Sequence, residues 1–273
     1  MRWKVGVAII LLSALGCRYR FSPGIYVPLQ VGTLYRYTSR RLISGEYEKP
    51  QGRFYTPDTL YVLGDTTFRG LDARKVYIKK QLRCEAGYSC SMNTPKCVCS
   101  IDTAIYYFSG DTLTSFSDIA SLFPPAMETY LGGRPVMIRL LSGDRDMPFS
   151  LFVSAAGPGD AWEVASGRLN LVMYPLGFGD VPDSVREYDL NFTIRARLEG
   201  FEDVSTSYRY FRACAKVRYD LTLSGDVPDL TLHTLDTWWC DGVGQVKLVQ
   251  TPEAASYGDT SITYVELSFV EYR

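Results

Sequence analysis

Cys214-Ala-Lys-Val-Arg-Tyr-Asp-Leu-Thr-Leu223, Ser224-Gly-Asp-Val-Pro-Asp229 and Leu230-Thr-Leu-His-Thr-Leu-Asp-Thr-Trp-Trp-Cys240 read as strand, turn and strand. Apolar and polar residues alternate in both outer runs, the period of a half-buried strand. The middle run is turn chemistry. A hairpin centred near Val227 sets Cys214 opposite Cys240, since both lie thirteen residues from it. Directly opposed antiparallel residues have Cα atoms about 4.5–5.5 Å apart, within disulfide reach. The stretch predicts an antiparallel hairpin closed by a Cys214–Cys240 bridge.

The same pattern extends outward. Tyr35-Arg-Tyr37, Thr59-Leu-Tyr-Val-Leu63, Lys75-Val-Tyr-Ile-Lys79 and Ala104-Ile-Tyr-Tyr-Phe108 alternate or run in strand formers between Gly and Asp turns. A helical turn is expected only around 117–122, before Pro124-Pro125. The second half echoes the first. Gly32-Thr-Leu-Tyr35 is followed by Gly159-Asp-Ala-Trp162, Lys75-Val76-Tyr77 by Lys216-Val217-Arg218-Tyr219, and Tyr106-Tyr107 by Trp238-Trp239. The expected fold is mainly β: an antiparallel curved sheet, half-barrel or sandwich, with few short helices. It is built from two related β units, 28–115 and 150–273, joined by a connecting segment, 116–149.

Upstream, Arg2 and Lys4 precede a twelve-residue apolar run, Val5 to Gly16, and then Cys17. A helix of that length rises about 18 Å, short of a hydrocarbon core of about 30 Å. The pattern is that of an export signal over 1–16. Ala14-Leu15-Gly16-Cys17 resembles the bacterial lipobox, with Leu15 and Ala14 exchanged relative to the usual order. The match implies cleavage before Cys17 and its acylation, for example by palmitate, with 17–27 as a lipidated polar tether. Two or three chains, at about 0.8 kcal/mol per buried methylene, would anchor firmly in the outer or cytoplasmic membrane. Without residues 1–16 the basic count falls from 29 to 27 against 30 acids, a net charge of −3. That balance gives no electrostatic reason to bind nucleic acid or anionic lipid heads.

In an exported chain the six other cysteines read as three disulfides. Cys84, Cys90, Cys97 and Cys99 crowd one segment, and their connectivity stays open. Zinc is the competing reading, but the spacings lack the paired C-x2–4-C form and no histidine is near.

Three further motifs support a resemblance. Pro28-Leu29-x-x-Gly32-x-x-Tyr35-x-Tyr37 is similar to an opening of uncharacterised bacterial envelope lipoproteins, with Tyr35 where tryptophan is usual. Leu198-Glu-Gly200-x-Glu202-Asp-Val204 with Cys214-x-Lys216-Val217 is similar to their later strand pair. Trp238-Trp239-x-x-Gly242-Val243-Gly244-x-Val246-Lys247 is similar to their closing strand. The resemblance implies a half-barrel of the lipoprotein-carrier kind covering an apolar cavity. It brings no catalytic residues.

Catalytic chemistry is sparse. The one histidine, His233, sits in an alternating strand, and the Gly-x-Ser-x-Gly elbow is absent. Gly242-Val-Gly244 and Gly177-Phe-Gly179 precede no helix and read as turns or bulges. Asp144 with Asp146, or Glu202 with Asp203, could serve a hydrolase or a calcium site, but surface turns supply such pairs routinely. Asn191-Phe-Thr193 fits a glycosylation sequon. Tyr106, Tyr107, Trp238 and Trp239 form two adjacent aromatic pairs. Neighbours in a strand point to opposite faces, so one ring of each pair can enter the core while the other faces solvent or a ligand. The expected activity is non-enzymatic and needs no metal or cofactor. It is binding of an apolar or lipid-like ligand at the envelope. A scaffold or adaptor for a protein partner is the alternative, and an envelope hydrolase the third.

Overall fold

The computed structural model describes residues 25–43, 46–48, 56–84, 97–117, 127–131, 134–144, 147–175, 186–226, 230–250 and 262–272. These residues form strands and turns, without a helix among them; the helical turn expected around 117–122 falls outside them apart from its first residue. The strands are β1 (Leu34–Ile43), β2 (Glu46–Glu48), β3 (Thr56–Phe68), β4 (Leu71–Cys84), β5 (Cys97–Ser109), β6 (Thr112–Ser117), β7 (Met127–Leu131) and β8 (Arg134–Gly143). Then come β9 (Met147–Val153), β10 (Ala161–Pro175), β11 (Arg186–Ser205), β12 (Tyr210–Gly225), β13 (Leu230–Cys240), β14 (Gly244–Gln250) and β15 (Ile262–Glu271).

All fifteen belong to one antiparallel sheet, ordered β7-β8-β10-β11-β12-β13-β14-β15-β1-β3-β4-β5-β6-β9, with β2 beside β1. The sheet is open, because its end strands β7 and β9 do not pair. Strands β1 and β3–β6 with β9 fill one half, and β7, β8 and β10–β15 fill the other, joined by the β1–β15 ladder from Leu34↔Glu271 to Leu42↔Ile262; β9, mostly of the second expected unit, thus lies in the first half. The stretch expected to connect the units is itself sheet: it supplies β7, β8 and the start of β9.

Residues opposite one another in an antiparallel ladder share a face, so the registers sort the side chains. One face carries Tyr35, Val62, Val76, Tyr106 and Leu113 in the first half. The same face carries Leu198, Val217, Tyr219 and Trp239 in the second half. This face is concave. The sheet rolls until β9 lies over β10–β13, so that Phe149, Phe152 and Leu113 join Val164, Leu169, Phe192, Leu198, Val217 and Trp239 in one core cluster. A second cluster continues the core through Tyr35, Tyr37, Val246, Val265 and Leu267, and wraps around the Cys214–Cys240 end.

Side chains seal the seam where the sheet fails to close. The outer edge of β9 has no strand partner, and an unpaired buried carbonyl is costly. Trp162 Nε1 donates to the Ser150 carbonyl at 2.9 Å and the Tyr219 hydroxyl donates to the Leu151 carbonyl at 2.5 Å. Burial pushes the Tyr219 phenol well above its usual range, against the pull of Thr237 and Trp239 beside it. Tyr219→Phe leaves the Leu151 carbonyl without that donor. We expect a loss of about 1–2 kcal/mol in urea unfolding with an unchanged m-value. No measurable loss would show that the seam does not hold the roll closed.

The chain enters the fold earlier than its polar composition suggests. Ile25 and Val27 are buried in the main core. Tyr26 N donates to Asp241 Oδ1 at 2.8 Å, and Gly242 N donates back to the Tyr26 carbonyl at 2.8 Å. Further along, the Tyr35 hydroxyl donates to the Pro28 carbonyl and Arg74 Nε donates to the Leu29 carbonyl. Residues 25–29 thus form a strap from the β13–β14 turn across to β4. The end of the segment expected as a tether, 25–27, is docked in the core.

Candidate functional site

Cys214 and Cys240 are joined by a disulfide with a Cα separation of 4.3 Å. The register around it runs Ala215↔Trp239 and Lys216↔Trp238, as a hairpin centred on Val227 requires. Nearer the turn the register shifts by one residue, between Tyr219 and Asp220, to Asp220↔His233. Both sulfurs lie in the core. In the other cysteine group, Cys84 stands opposite Cys97 at the end of the β4–β5 ladder and Cys99 opposite Gln81. Cys90, and Cys17 with the rest of the expected signal and most of the tether, lie outside the described residues.

The two aromatic pairs do alternate across the sheet, with Trp238, Trp239 and Tyr107 buried and Tyr106 half-buried. Trp239 lies on the concave face, 4% exposed, stacked on Phe152 with centroids 5.1 Å apart and planes 16° from parallel. Its Nε1 donates to Thr237 Oγ1 at 2.8 Å. Trp238 lies on the other face, yet is only 6% exposed. Lys216 and Lys247 cover its ring at 5.7 and 5.0 Å from the centroid, and its Nε1 donates to Glu202 Oε1. Tyr106 packs against the main core, and burial raises its phenol pKa despite the Ser115 hydrogen bond. Tyr107 is 9% exposed on the convex face. For the tryptophan pair the expectation of one free ring is corrected: Lys216 and Lys247 cover Trp238, and Phe152 covers Trp239.

Of the acidic pairs, Asp144, Glu202 and Asp203 are engaged in structure. Asp144 Oδ2 accepts from Arg168 N at 2.9 Å, and Asp226 Oδ2 accepts from Asp189 N at 2.8 Å. Asp189 Oδ1 accepts from Asn170 Nδ2 at 2.7 Å. Asp144, Asn170 and Asp189 line an open polar cleft of about 500 Å³ with Ser142, Arg168 and Asn191. A Cβ at Gly167 would come within 2.7 Å of Asp144 Oδ2, so the Asp144 carboxylate would have to shift. Glu202 serves Trp238, while Asp203 accepts from the Tyr210 hydroxyl and from Ala213 N. Among the described residues no group of three or more His, Cys, Asp or Glu is placed to hold a metal. Asp146 and Gly177-Phe-Gly179 lie outside the described residues, as does the side chain of His233. Gly242 and Gly244 take φ of 69° and 98° in and after the β13–β14 turn, the left-handed region that favours glycine.

The convex face differs between the two halves. Over β11–β13 it is a charge lattice: Glu199 pairs with Lys216 at 3.2 Å and with Arg197 at 3.4 Å, and Arg218 pairs with Asp220 at 3.0 Å. Partial burial pushes the Glu199 carboxyl up, but Lys216 and Arg197 outweigh it and hold it below the usual range. That pairing therefore stabilises above the unfolded pKa and fades as pH falls through the folded one. Over β3–β6 the convex face is aromatic. Phe68 meets Phe116 at 4.4 Å and Tyr107 at 5.8 Å between centroids. Arg69 lies over Phe68 and Phe116 at 5.2 and 4.9 Å. Leu71, 41% exposed, and the exposed Pro148 extend the patch. This patch escaped the sequence reading. Its trace is Phe68-Arg-Gly-Leu71, apolar residues on both flanks of a tight turn.

No family model matches the chain, and no curated protein matches it. Among solved structures, it is similar to a presumed exported protein with a YmcC-like fold from Bacteroides fragilis. The identity is 12%, with 91% of this chain and 99% of that one covered and a TM-score of 0.50. A presumed lipoprotein from Parabacteroides distasonis also matches at 12% identity, over 90% of this chain and 98% of that one, with a TM-score of 0.45. The first likeness is one of fold.

Proposed function

We propose that the chain is an exported, lipid-anchored, non-enzymatic adaptor of the bacterial envelope that binds a protein partner through the convex aromatic patch. The observation that carries this reading is the packing of the concave face. The rings a carrier would offer to an apolar ligand, Phe152, Trp239 and Trp162, are used against the protein itself. A scaffold has the opposite signature, a filled core with an exposed apolar patch. Exposed Leu71 and Pro148, beside the half-buried Phe68 and Phe116 beneath Arg69, supply such a patch, and aromatic and Arg side chains are those enriched in interface centres. Export and anchoring rest on the first seventeen residues, with Cys17 as the acylated position. The reading calls on no cofactor or metal.

A photo-crosslinking residue placed at Leu71 in the full chain, in cells, tests it, with the same residue at Leu141 as reference. The adaptor reading predicts one discrete protein adduct from position 71. Leu71→Asp should weaken capture about tenfold when capture is read from a crosslinker at Phe116, yet change stability by under about 0.5 kcal/mol. Equal capture at 71 and 141 would remove the patch as a partner site.

A further inference from the structure

The described turns gather at one end of the sheet. The β3–β4, β5–β6, β11–β12 and β13–β14 turns lie there, β15 finishes there, and the strap of residues 25–29 enters there. Exposed rings cluster at the same end. Tyr26 is 63% exposed beside buried Ile25 and Val27. Tyr272, 47% exposed, donates to the Gly242 carbonyl, and Gly242 N donates to the Tyr26 carbonyl, so the two rings share one turn. The Ser207 hydroxyl donates to the Leu267 carbonyl at 3.4 Å, which brings the β11–β12 hairpin tip, with Tyr208, against β15. Tyr210 projects from the same hairpin tip, and Arg209 lies over Tyr208 at 5.5 Å.

We propose that this tyrosine rim is a membrane-docking surface that seats against the headgroup region of the bilayer holding the Cys17 lipid. The proposal rests on the lipoprotein reading. Chain length argues for the bilayer as occupant. Seven residues lie between Cys17 and Ile25, so eight Cα–Cα steps give a reach of at most about 28 Å. Strand β11 has 20 residues, about 66 Å of sheet. An anchor that short holds the strap end, not the far end, at the surface. Tyrosine suits that boundary, with an apolar body and a polar tip. The rim carries carboxylates too, and two of them are engaged: Asp241 accepts from Tyr26 N, and Asp203 accepts from the Tyr210 hydroxyl and Ala213 N. Attachment is therefore by rings rather than by net charge. Its effect is to fix orientation: strands upright, with the convex patch close to the membrane surface, since Phe68 and Leu71 flank the β3–β4 turn at this end.

The test uses the full exported chain, purified and reconstituted in phosphatidylcholine vesicles with and without brominated acyl chains. Mass spectrometry of the Cys17 peptide first reads the acyl group. Tyr26→Trp and Tyr208→Trp then report contact with lipid, and Leu141→Trp is the reference. The proposal predicts that the added emission of the two rim probes falls by about half in brominated vesicles while the reference is unchanged. Acylated protein whose rim probes are unquenched overturns the docking surface and leaves the anchor standing. Equal quenching at all three positions overturns it as well, since the body would then have no fixed orientation. A Cys17 without an acyl group overturns both readings.

Discussion

Phe152→Ala should destabilise the protein by about 3–5 kcal/mol, the range for truncating a buried aromatic ring and leaving its cavity. Phe152 is one of the largest fully buried side chains and stacks on Trp239 across the roll of the sheet. Its strand, β9, pairs with β6 alone, so the contact links the last strand of one half to the centre of the other. Removing the ring deletes the stack and opens space beside Trp239. Urea unfolding should show a lower midpoint with an unchanged m-value, and folded-state emission should shift to the red as water reaches Trp239. A carrier with a cavity at this place would respond differently, because there the ring borders empty or ligand-filled space. A loss under about 1 kcal/mol would contradict the packed interior.

Replacing both Cys214 and Cys240 by Ala should cost about 3.5 kcal/mol, from closing a loop over a separation of 26 residues. For a chain of this size that is a fall in Tm of about 7–14 °C. The bridge ties β12 to β13 beside the β13–β14 turn, where the strap also docks. The unbridged protein should therefore lose protection first at Tyr26 and Gly242 in hydrogen exchange. A Tm within about 2 °C of wild type would show that the strands and strap hold that end without the bridge.

The hairpin around Val227 was legible because alternation and turn chemistry agreed over one short, local stretch. The pairing of Cys214 with Cys240 followed from counting alone, and the register shift near His233 did not disturb it because it lies on the turn side. All-β character was legible for the same reason. What failed to show was non-local. The roll that brings β9 over β10–β13 depends on contacts such as Tyr219 with Leu151, 68 residues apart, which no local pattern encodes. Strands β7 and β8 were hidden in a stretch read as a connector. The strap was hidden by its tyrosine and glycine neighbours, although Ile25-x-Val27-x-Leu29 carries strand alternation in plain view. The aromatic pairs show the limit most clearly. Strand periodicity assigned Trp238 and Trp239 to opposite faces, but only the fold reveals that Lys216 and Lys247 cover one while Phe152 covers the other.

Native mass spectrometry of the full exported chain, compared with its denatured mass, tests the filled interior most directly. Covalent acyl groups contribute to both masses, so a bound lipid appears only as the difference. A packed interior predicts equal masses, before and after incubation with envelope lipids. A stoichiometric lipid present only in the native spectrum, and lost in Trp239→Ala, would contradict it and restore the carrier reading.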